Sequence, residues 1–329
     1  MKKLLLVMLS LLMLTSCGTI NGKPFTKVGD IKISENEFKF YLKSVKEEMK
    51  GTEFETEEDW QNKELDGRKA IELAKEQAMD NAVNNALYIE TGKAAGIALT
   101  PVDKKNIEII KQQFIDSKGS EKDYKKFLKD NGISDEFIDM LCESSVYYSK
   151  IAEVIQTDTK ITDKMKEDHF ENNKDSFEAE VRKAKHILIA TIDPETMKEK
   201  SAEDKEAASR LAKELYDRVQ SGEDFDKLMK EYSEDPGLET SPNGYVFRTG
   251  EMVKEFEETT DSIEPNQVAF CVSDYGYHIV LRLPITWKDA EKEVSDDLMM
   301  SLIEKRVEKW QKDYSIEVTI DEEKYGKIK

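Results

Sequence analysis

Arg182-Lys183-Ala184-Lys185-His186-Ile187-Leu188-Ile189-Ala190 is the stretch on which the fold turns. Everything before it, from residue 34 onward, carries Lys and Glu at helical spacing. Here the pattern changes to a β-rich apolar run bounded by polar residues, which predicts a strand. Downstream, Ala208, Leu211, Leu215 and Val219 fall on one helical face, and Ser221-Gly222 stops that helix. Asp224 starts another helix with Phe225, Leu228 and Tyr232 turned inward, and Asn243-Gly244 turns the chain into Tyr245-Val246-Phe247. A short helix containing Phe256 is expected from about Glu251, followed by strands over Val268–Val272 and Tyr277–Leu283 that turn at Tyr275-Gly276. The predicted order is strand, helix, helix, strand, helix, strand, strand.

Upstream, a capping box at Ser34 and Glu37 starts a helix whose apolar face is Phe38, Tyr41, Leu42 and Val45. A small strand element is expected at Val28–Ile33, and the acidic residues 51 to 67 are expected to form a loop. Helices are predicted from Arg68 to Ala94, from Pro101 onward, over 121 to 131, over 134 to 155 and from Thr162 to Asn172. After Pro284 a helix lined by Val294, Leu298, Leu302, Ile303 and Val307 runs to Trp310. The alternating Ile316, Val318, Ile320 then reads as a strand that can return to Ile31 and Ile33, making one domain of the two ends with residues 180 to 285 inserted.

The 329 residues suit two domains. With 38 % hydrophobic and 36 % charged residues, the chain has material for real cores under a highly charged surface. A net charge of −19 disfavours nucleic acid, whose phosphates demand Lys and Arg. The N-terminus has a basic start at Lys2-Lys3 and an apolar stretch, Leu4 to Leu14, shorter than the roughly 20 residues of a membrane span but suited to a signal core. Leu14-Thr15-Ser16-Cys17-Gly18 follows and resembles the bacterial lipobox, which implies that Cys17 carries the lipid and anchors the chain to the membrane. Cys142 and Cys271 have no His or Cys partner at metal-ligand spacing, so they read as single thiols; neither metal nor cofactor is expected.

The segments Lys185-His186-Ile187-Leu188, Gly222-Glu223-Asp224-Phe225, Glu231-Tyr232-Ser233-Glu234-Asp235, Gly250-Glu251-Met252 with Phe256, and Tyr275-Gly276-Tyr277-His278-Ile279 resemble the parvulin peptidyl-prolyl isomerases in order and spacing. With the lipobox and the helical body, the whole chain resembles the PrsA-type extracellular foldase lipoproteins, whose helical part is similar to that of SurA-like chaperones. The resemblance implies an α+β architecture: a helical chaperone-like domain with an inserted parvulin domain, a four-stranded antiparallel sheet wrapped by helices. The expected boundaries are 1–17 for signal and lipobox, 18–178 for the helical domain, 179–286 for the parvulin domain, and 287–329 for a C-terminal helix and strand packing back on the helical domain.

The resemblance further implies site residues. His186 and His278 would be paired histidines on adjacent central strands, Asp235 and Tyr275 their polar company, and Met252 and Phe256 the apolar slot for the proline ring, with Phe247 and Tyr245 beside it. The chemistry is consistent. The barrier to rotation about a peptide bond is roughly 18–20 kcal/mol, and a site that favours the twisted amide lowers it without a covalent step. Cis X–Pro is populated to about 10–30 % in unfolded chains and isomerises slowly enough to delay folding. The expected partners are therefore unfolded secreted proteins containing X–Pro bonds; a homodimer is left open.

Some residues depart from the parvulin pattern: Ser241-Pro242-Asn243-Gly244-Tyr245 replaces a glycine-rich approach to the aromatic strand end, Asp261 stands where an apolar aromatic is usual, and Phe270-Cys271 replaces a proline-containing turn. They support a second reading, a non-catalytic holdase with a degenerate parvulin domain. No basic cluster follows the first strand in a form that would clamp phosphate, which argues against phosphoserine–proline specificity. His169, in a charged helix, is expected to be exposed. A solute-binding lipoprotein would need two α/β lobes, and the strand content before residue 180 is too low for that.

Overall fold

A computed structural model describes residues 24–49, 54–65, 67–193 and 196–328. Cys17 and the signal-like segment lie outside the described residues. The chain divides into two compact units, Met1–Lys160 with Met299–Lys329, and Ile161–Leu298.

The first unit opens with a hairpin, β1 (Pro24–Val28) and β2 (Ile31–Ser34), and continues through α1 (Glu35–Met49), α2 (Glu57–Asn62), the two-residue strands β3 (Glu64–Leu65) and β4 (Arg68–Lys69), α3 (Ala70–Ala94), α4 (Pro101–Asp116), α5 (Glu121–Asn131) and α6 (Asp135–Asp158). The Ser34 box is formed: the Glu37 amide donates to Ser34 Oγ at 3.3 Å and the Ser34 amide to Glu37 Oε2 at 2.6 Å. Residues 51 to 67 are not simply a loop, because Thr56 and Asp59 make a second capping box that starts α2 and delivers Trp60 to the core. The small-residue stripe Ala70, Ala74, Ala78, Ala82 and Ala86 is fully covered, which allows the neighbouring helices to approach α3 closely. Phe38, Tyr41, Ile71 and Phe137 belong to one core cluster; Leu87, Ile151, Ile303 and Val307 belong to a second.

The C-terminal strand β9 (Val318–Ile320) joins this unit and is followed by α13 (Glu322–Lys327). Its partner is β1, in the register Thr26↔Ile320 and Val28↔Val318, and not the Ile31–Ile33 segment expected from sequence. The sheet order is β2-β1-β9, because β2 pairs with the other edge of β1.

The second unit contains α7 (Asp163–Asn172), α8 (Lys174–Glu180), β5 (Arg182–Ala190), α9 (Ala202–Gln220), α10 (Phe225–Tyr232), a 3-10 turn at Pro236–Glu239, β6 (Tyr245–Phe247), α11 (Lys254–Asp261), β7 (Val268–Ser273), β8 (Gly276–Leu283) and the first turns of α12 (Glu291–Asp313). It extends beyond residues 179–286 at both ends, because Phe170, Phe177 and Val181 share a core with Ile285, Ala290 and Val294. His169 is correspondingly covered rather than exposed. Its side chain is 14 % accessible, and Nε2 lies 2.8 Å from Asp297 on α12.

The sheet order is β6-β5-β8-β7 with every pair antiparallel. Side chains alternate between its faces. Ile187, Ile189 and Ile279 pack with Ala212, Leu215 and Leu228 from α9 and α10. Ala184 and Val280 pack on the opposite side with Phe247 and Phe256. Both faces of β5 are thus covered, which explains why its sequence reads as a continuous apolar run. Phe270-Cys271 lies inside β7 and forms no turn.

Candidate functional site

The face of the sheet that carries Ala184 and Val280 also carries His186 on β5 and His278 on β8. Residue 186 pairs with Val280 and residue 278 with Leu188, so the imidazoles sit on adjacent strands one pleat apart. They stack at 5.2 Å between centroids, with Nδ1 facing Nδ1 at 3.0 Å. His186 Nε2 meets Asp235 Oδ2 at 2.8 Å, and the Tyr245 hydroxyl donates to the same oxygen at 2.6 Å. At the other end Ser273 Oγ lies 2.7 Å from His278 Nε2. Five side chains thus form one row: Ser273, His278, His186, Asp235, Tyr245.

Local structure holds each member. Asp235 caps the turn that follows it by accepting from the Gly237 amide at 3.0 Å. Gly237 leaves room for the Tyr245 hydroxyl, since a Cβ there would lie 2.1 Å from it and would displace it from Asp235. Gly276 opens β8 at φ +146°, and a Cβ would meet Ile189 O at 2.3 Å. That glycine lets the β7–β8 turn press against β5 and brings Ser273 over His278.

The electrostatics set the direction of the row. Burial pushes the Asp235 carboxyl upward, but hydrogen bonds from His186 and Tyr245 outweigh it and bring the group down to about 2. Burial, and then the hydrogen bond to Asp235 together with its charge, hold the Tyr245 phenol well above its ordinary range. His278 is lowered to about 4, chiefly by burial and secondarily by the neighbouring His186. An ionised Asp235 accepts only, so His186 Nε2 carries a proton. With both rings neutral, His186 Nδ1 accepts from His278 Nδ1–H, and His278 Nε2 accepts from the Ser273 hydroxyl. Every donor then has an acceptor, and the row terminates in a half-buried anion.

The apolar side of the site lies against the rings. Phe256 on α11 makes edge contacts to His186 at 5.2 Å and to His278 at 6.0 Å, and Phe247 lies 5.6 Å from Phe256. Met252, Tyr245 and Cys271 pack on this cluster and remain partly exposed. Glu257 holds the Met252 turn by accepting from the amides of Met252 and Gly250, each at 2.9 Å.

The sequence matches the PPIC-type PPIASE domain over residues 168–282 and the SurA-like N-terminal domain over residues 2–152. The foldase protein PrsA of Caldanaerobacter subterraneus is 30 % identical over 283 residues, 84 % of this chain and 79 % of that protein. The chain belongs to the PrsA foldase family. The PrsA of Clostridium tetani is 23 % identical over 91 % of this chain and 87 % of that one. The crystal structure of PrsA from Bacillus subtilis aligns over 74 % of this chain and 86 % of its own at 18 % identity and a TM-score of 0.27. This PrsA-family chain is therefore a foldase-type protein that combines a SurA-like helical domain with a parvulin domain.

Within this PrsA framework, the residues singled out in the sequence separate into three groups. His186, His278 and Asp235 meet in the polar row, joined by Tyr245, which contributes a hydroxyl to Asp235 instead of an apolar wall. Met252, Phe256 and Phe247 form the apolar cluster, with Phe256 and Phe247 each only 2 % exposed. Tyr275 is 42 % exposed, and only its backbone amide, bonded to Ser273 Oγ, reaches the row. The hydroxyl on His278 belongs to Ser273, which sequence reasoning missed, as it missed Glu257. Asp261 does not stand in the pocket. It makes a bidentate pair with Arg182, both bonds 2.8 Å, while Arg182 also reaches Thr249. The departure at Asp261 is thus a clamp between β5 and the end of α11.

Proposed function

We propose that this chain is an active peptidyl-prolyl cis-trans isomerase, lipid-anchored through Cys17 on the outer face of the cytoplasmic membrane, that acts on X–Pro bonds of unfolded secreted proteins. The observation that carries the catalytic reading is the continuous row from Ser273 to Asp235 lying against an apolar cluster whose partly accessible members include Met252. A prolyl ring seated on Met252 would put its amide over the imidazoles. The row would then offer a fixed field to a carbonyl turning out of conjugation, stabilising the twisted amide relative to both planar forms. No residue needs to exchange a proton with the substrate. His186, His278, Asp235 and Ser273 would fix the field, Tyr245 would position Asp235, and Met252 and Phe256 would hold the ring.

A protease-free isomerisation assay on a proline tetrapeptide, with the full chain, tests this reading. A kcat/KM well above the uncatalysed rate is expected; a background rate from folded protein would overturn it. The anchor is tested separately by fatty-acid labelling in cells, which Cys17→Ala should abolish.

One observation favours the holdase alternative. Phe247 and Phe256 are almost wholly covered, which leaves only Met252, Val253, Tyr245 and Cys271 of this cluster partly accessible to a ligand. The same assay separates the readings, since a holdase would suppress aggregation of an unfolded protein without accelerating isomerisation.

A further inference from the structure

The site lies across the sheet from Tyr245 on edge strand β6 to Cys271 on edge strand β7, and its two ends differ in charge economy. At the β6 end the carboxylate inside the row is engaged, with Asp235 serving three donors. At the β7 end two exposed carboxylates, Glu255 and Asp274, form no ion pair or side-chain hydrogen bond among the described residues. The other carboxylates of α11 are committed: Glu257 to the Met252 turn, Glu258 to Lys254 at 3.6 Å, Asp261 to Arg182.

Glu255 is placed by its helix. It precedes Phe256, whose ring lies on both histidines, and it stands one turn before Thr259 on the same helix. Cys271 is the ladder partner of His278. Helix α11 packs on β7, and Phe256 shares one apolar cluster with Cys271 and Met252, so Glu255, the residue before Phe256, stands on the helix that borders this rim; the Cys271 thiol, raised first by burial, is raised further by that carboxylate. Strand β7 itself, Val-Ala-Phe-Cys-Val-Ser, offers no compensating cation, and Arg282 on β8 is turned to the carbonyls of Thr260 and Ile263.

We propose that Glu255 is a specificity-determining residue that favours substrates with a lysine or arginine beside the proline. This rests on the isomerase reading of the same site. A peptide seated on Met252 lies beside Cys271 of β7, so a flanking side chain directed that way would meet the unpaired carboxylate of Glu255. An exposed pair of this kind contributes modestly and is screened by salt.

The test uses the full chain and two sets of tetrapeptides carrying Lys, Gln or Glu, one set before the proline and one after it. In at least one set kcat/KM for the lysyl peptide should exceed that for the glutamyl peptide by about two- to fivefold at low ionic strength, with the ratio shrinking in high salt. Glu255→Gln should bring the ratio toward one, and Glu255→Lys should invert it. A ratio unmoved by Glu255→Gln in both sets overturns the proposal. Calorimetric binding of the same peptides keeps the two readings apart. A chain that binds the lysyl peptide preferentially through Glu255 but does not isomerise it would sink the catalytic reading alone, while absence of any Glu255-dependent preference in binding sinks this one.

Discussion

Each unit contains a hydrogen-bonded row of largely covered polar side chains, and the two rows are built differently. In the helical unit Ser144 on α6 donates to Asn85 on α3 at 2.8 Å, and Asn85 donates to the hydroxyl of Tyr41 on α1 at 3.2 Å. That row stitches three helices with neutral groups, and burial drives the Tyr41 phenol far above its normal range, so the row keeps one protonation state throughout the accessible pH range. In the sheet unit the row from Ser273 to Tyr245 contains two imidazoles and a carboxylate. Neutral groups suffice to fix a helix register. Ionisable groups add desolvation costs that a structural latch does not need, and such costs concentrate where chemistry is done.

The most severe way to break the comparison is acid. All three histidines, His169, His186 and His278, lie in the sheet unit, and the helical unit has none. His278 is lowered to about 4 in the fold against 6.5 for the free side chain. The unfolded chain therefore binds more protons between those values, and stability rises with pH across that window. It is fully present above pH 6.5 and is lost as pH falls toward 4, by on the order of 3 kcal/mol. Asp235, lowered to about 2, adds a further loss below about pH 4 as its carboxylate is protonated. Hydrogen exchange should show sheet-unit amides losing protection between pH 6.5 and 4.5 while α3 and α6 hold theirs. Equal behaviour of the two units would show that His278 is not buried as described.

The neutral row is tested by Asn85→Ala, which leaves the Ser144 hydroxyl, fully covered, and the Tyr41 hydroxyl without their partner. A loss of about 2 kcal/mol is expected from the denaturant midpoint, with isomerisation of a tetrapeptide by the folded variant unchanged. A change in turnover with stability unaltered would mean that this row is no mere latch.

These contrasts also mark what the sequence could disclose. The β5 run and the Ser34 box were legible because each depends on residues near in sequence, whereas the histidine pair, 92 residues apart, followed only from the resemblance to the parvulins. Ser273 was not, because both Ser273 and Tyr275 offer a hydroxyl near His278 and only the tight turn at Gly276 decides which one reaches it. The clamp of Asp261 on Arg182 joins residues 79 apart, and no local pattern announces it. Alternation at Ile316–Ile320 identified a strand without saying which strand edge was free, and the free edge belonged to β1. By contrast, the signal for α2 was present: Thr56 with Asp59 is a capping pair that the surrounding acidity obscured.

Met252 sharpens the comparison from the apolar side, since it packs on the site cluster yet stays partly exposed. Met252→Ala should lower kcat/KM about tenfold, which corresponds to about 1.4 kcal/mol in the barrier, with little change in thermal midpoint. Phe256→Ala should also cost stability, on the order of 3 kcal/mol, because its covered ring supports both imidazoles. Full turnover by Met252→Ala would remove the proposed ring site.

The smallest expected effect is the most discriminating. Tyr245→Phe keeps the ring that packs edge-on to His186 at 5.8 Å and removes only the hydroxyl that donates to Asp235. Asp235 then retains His186 and the Gly237 amide as donors, so its carboxyl should rise from about 2 while staying ionised at neutral pH. The expected cost is about 1 kcal/mol in stability, with kcat/KM falling only a few-fold at pH 7.5. The pH profile carries the decisive information. If Tyr245 acts by holding Asp235 ionised beneath His186, the variant should lose activity at a higher pH than the parent on the acid side, and its alkaline limb should be unmoved. A uniform loss at every pH would instead assign the Tyr245 hydroxyl to direct contact with substrate, and the row would then end at Asp235 with a second ligand-facing group beside it.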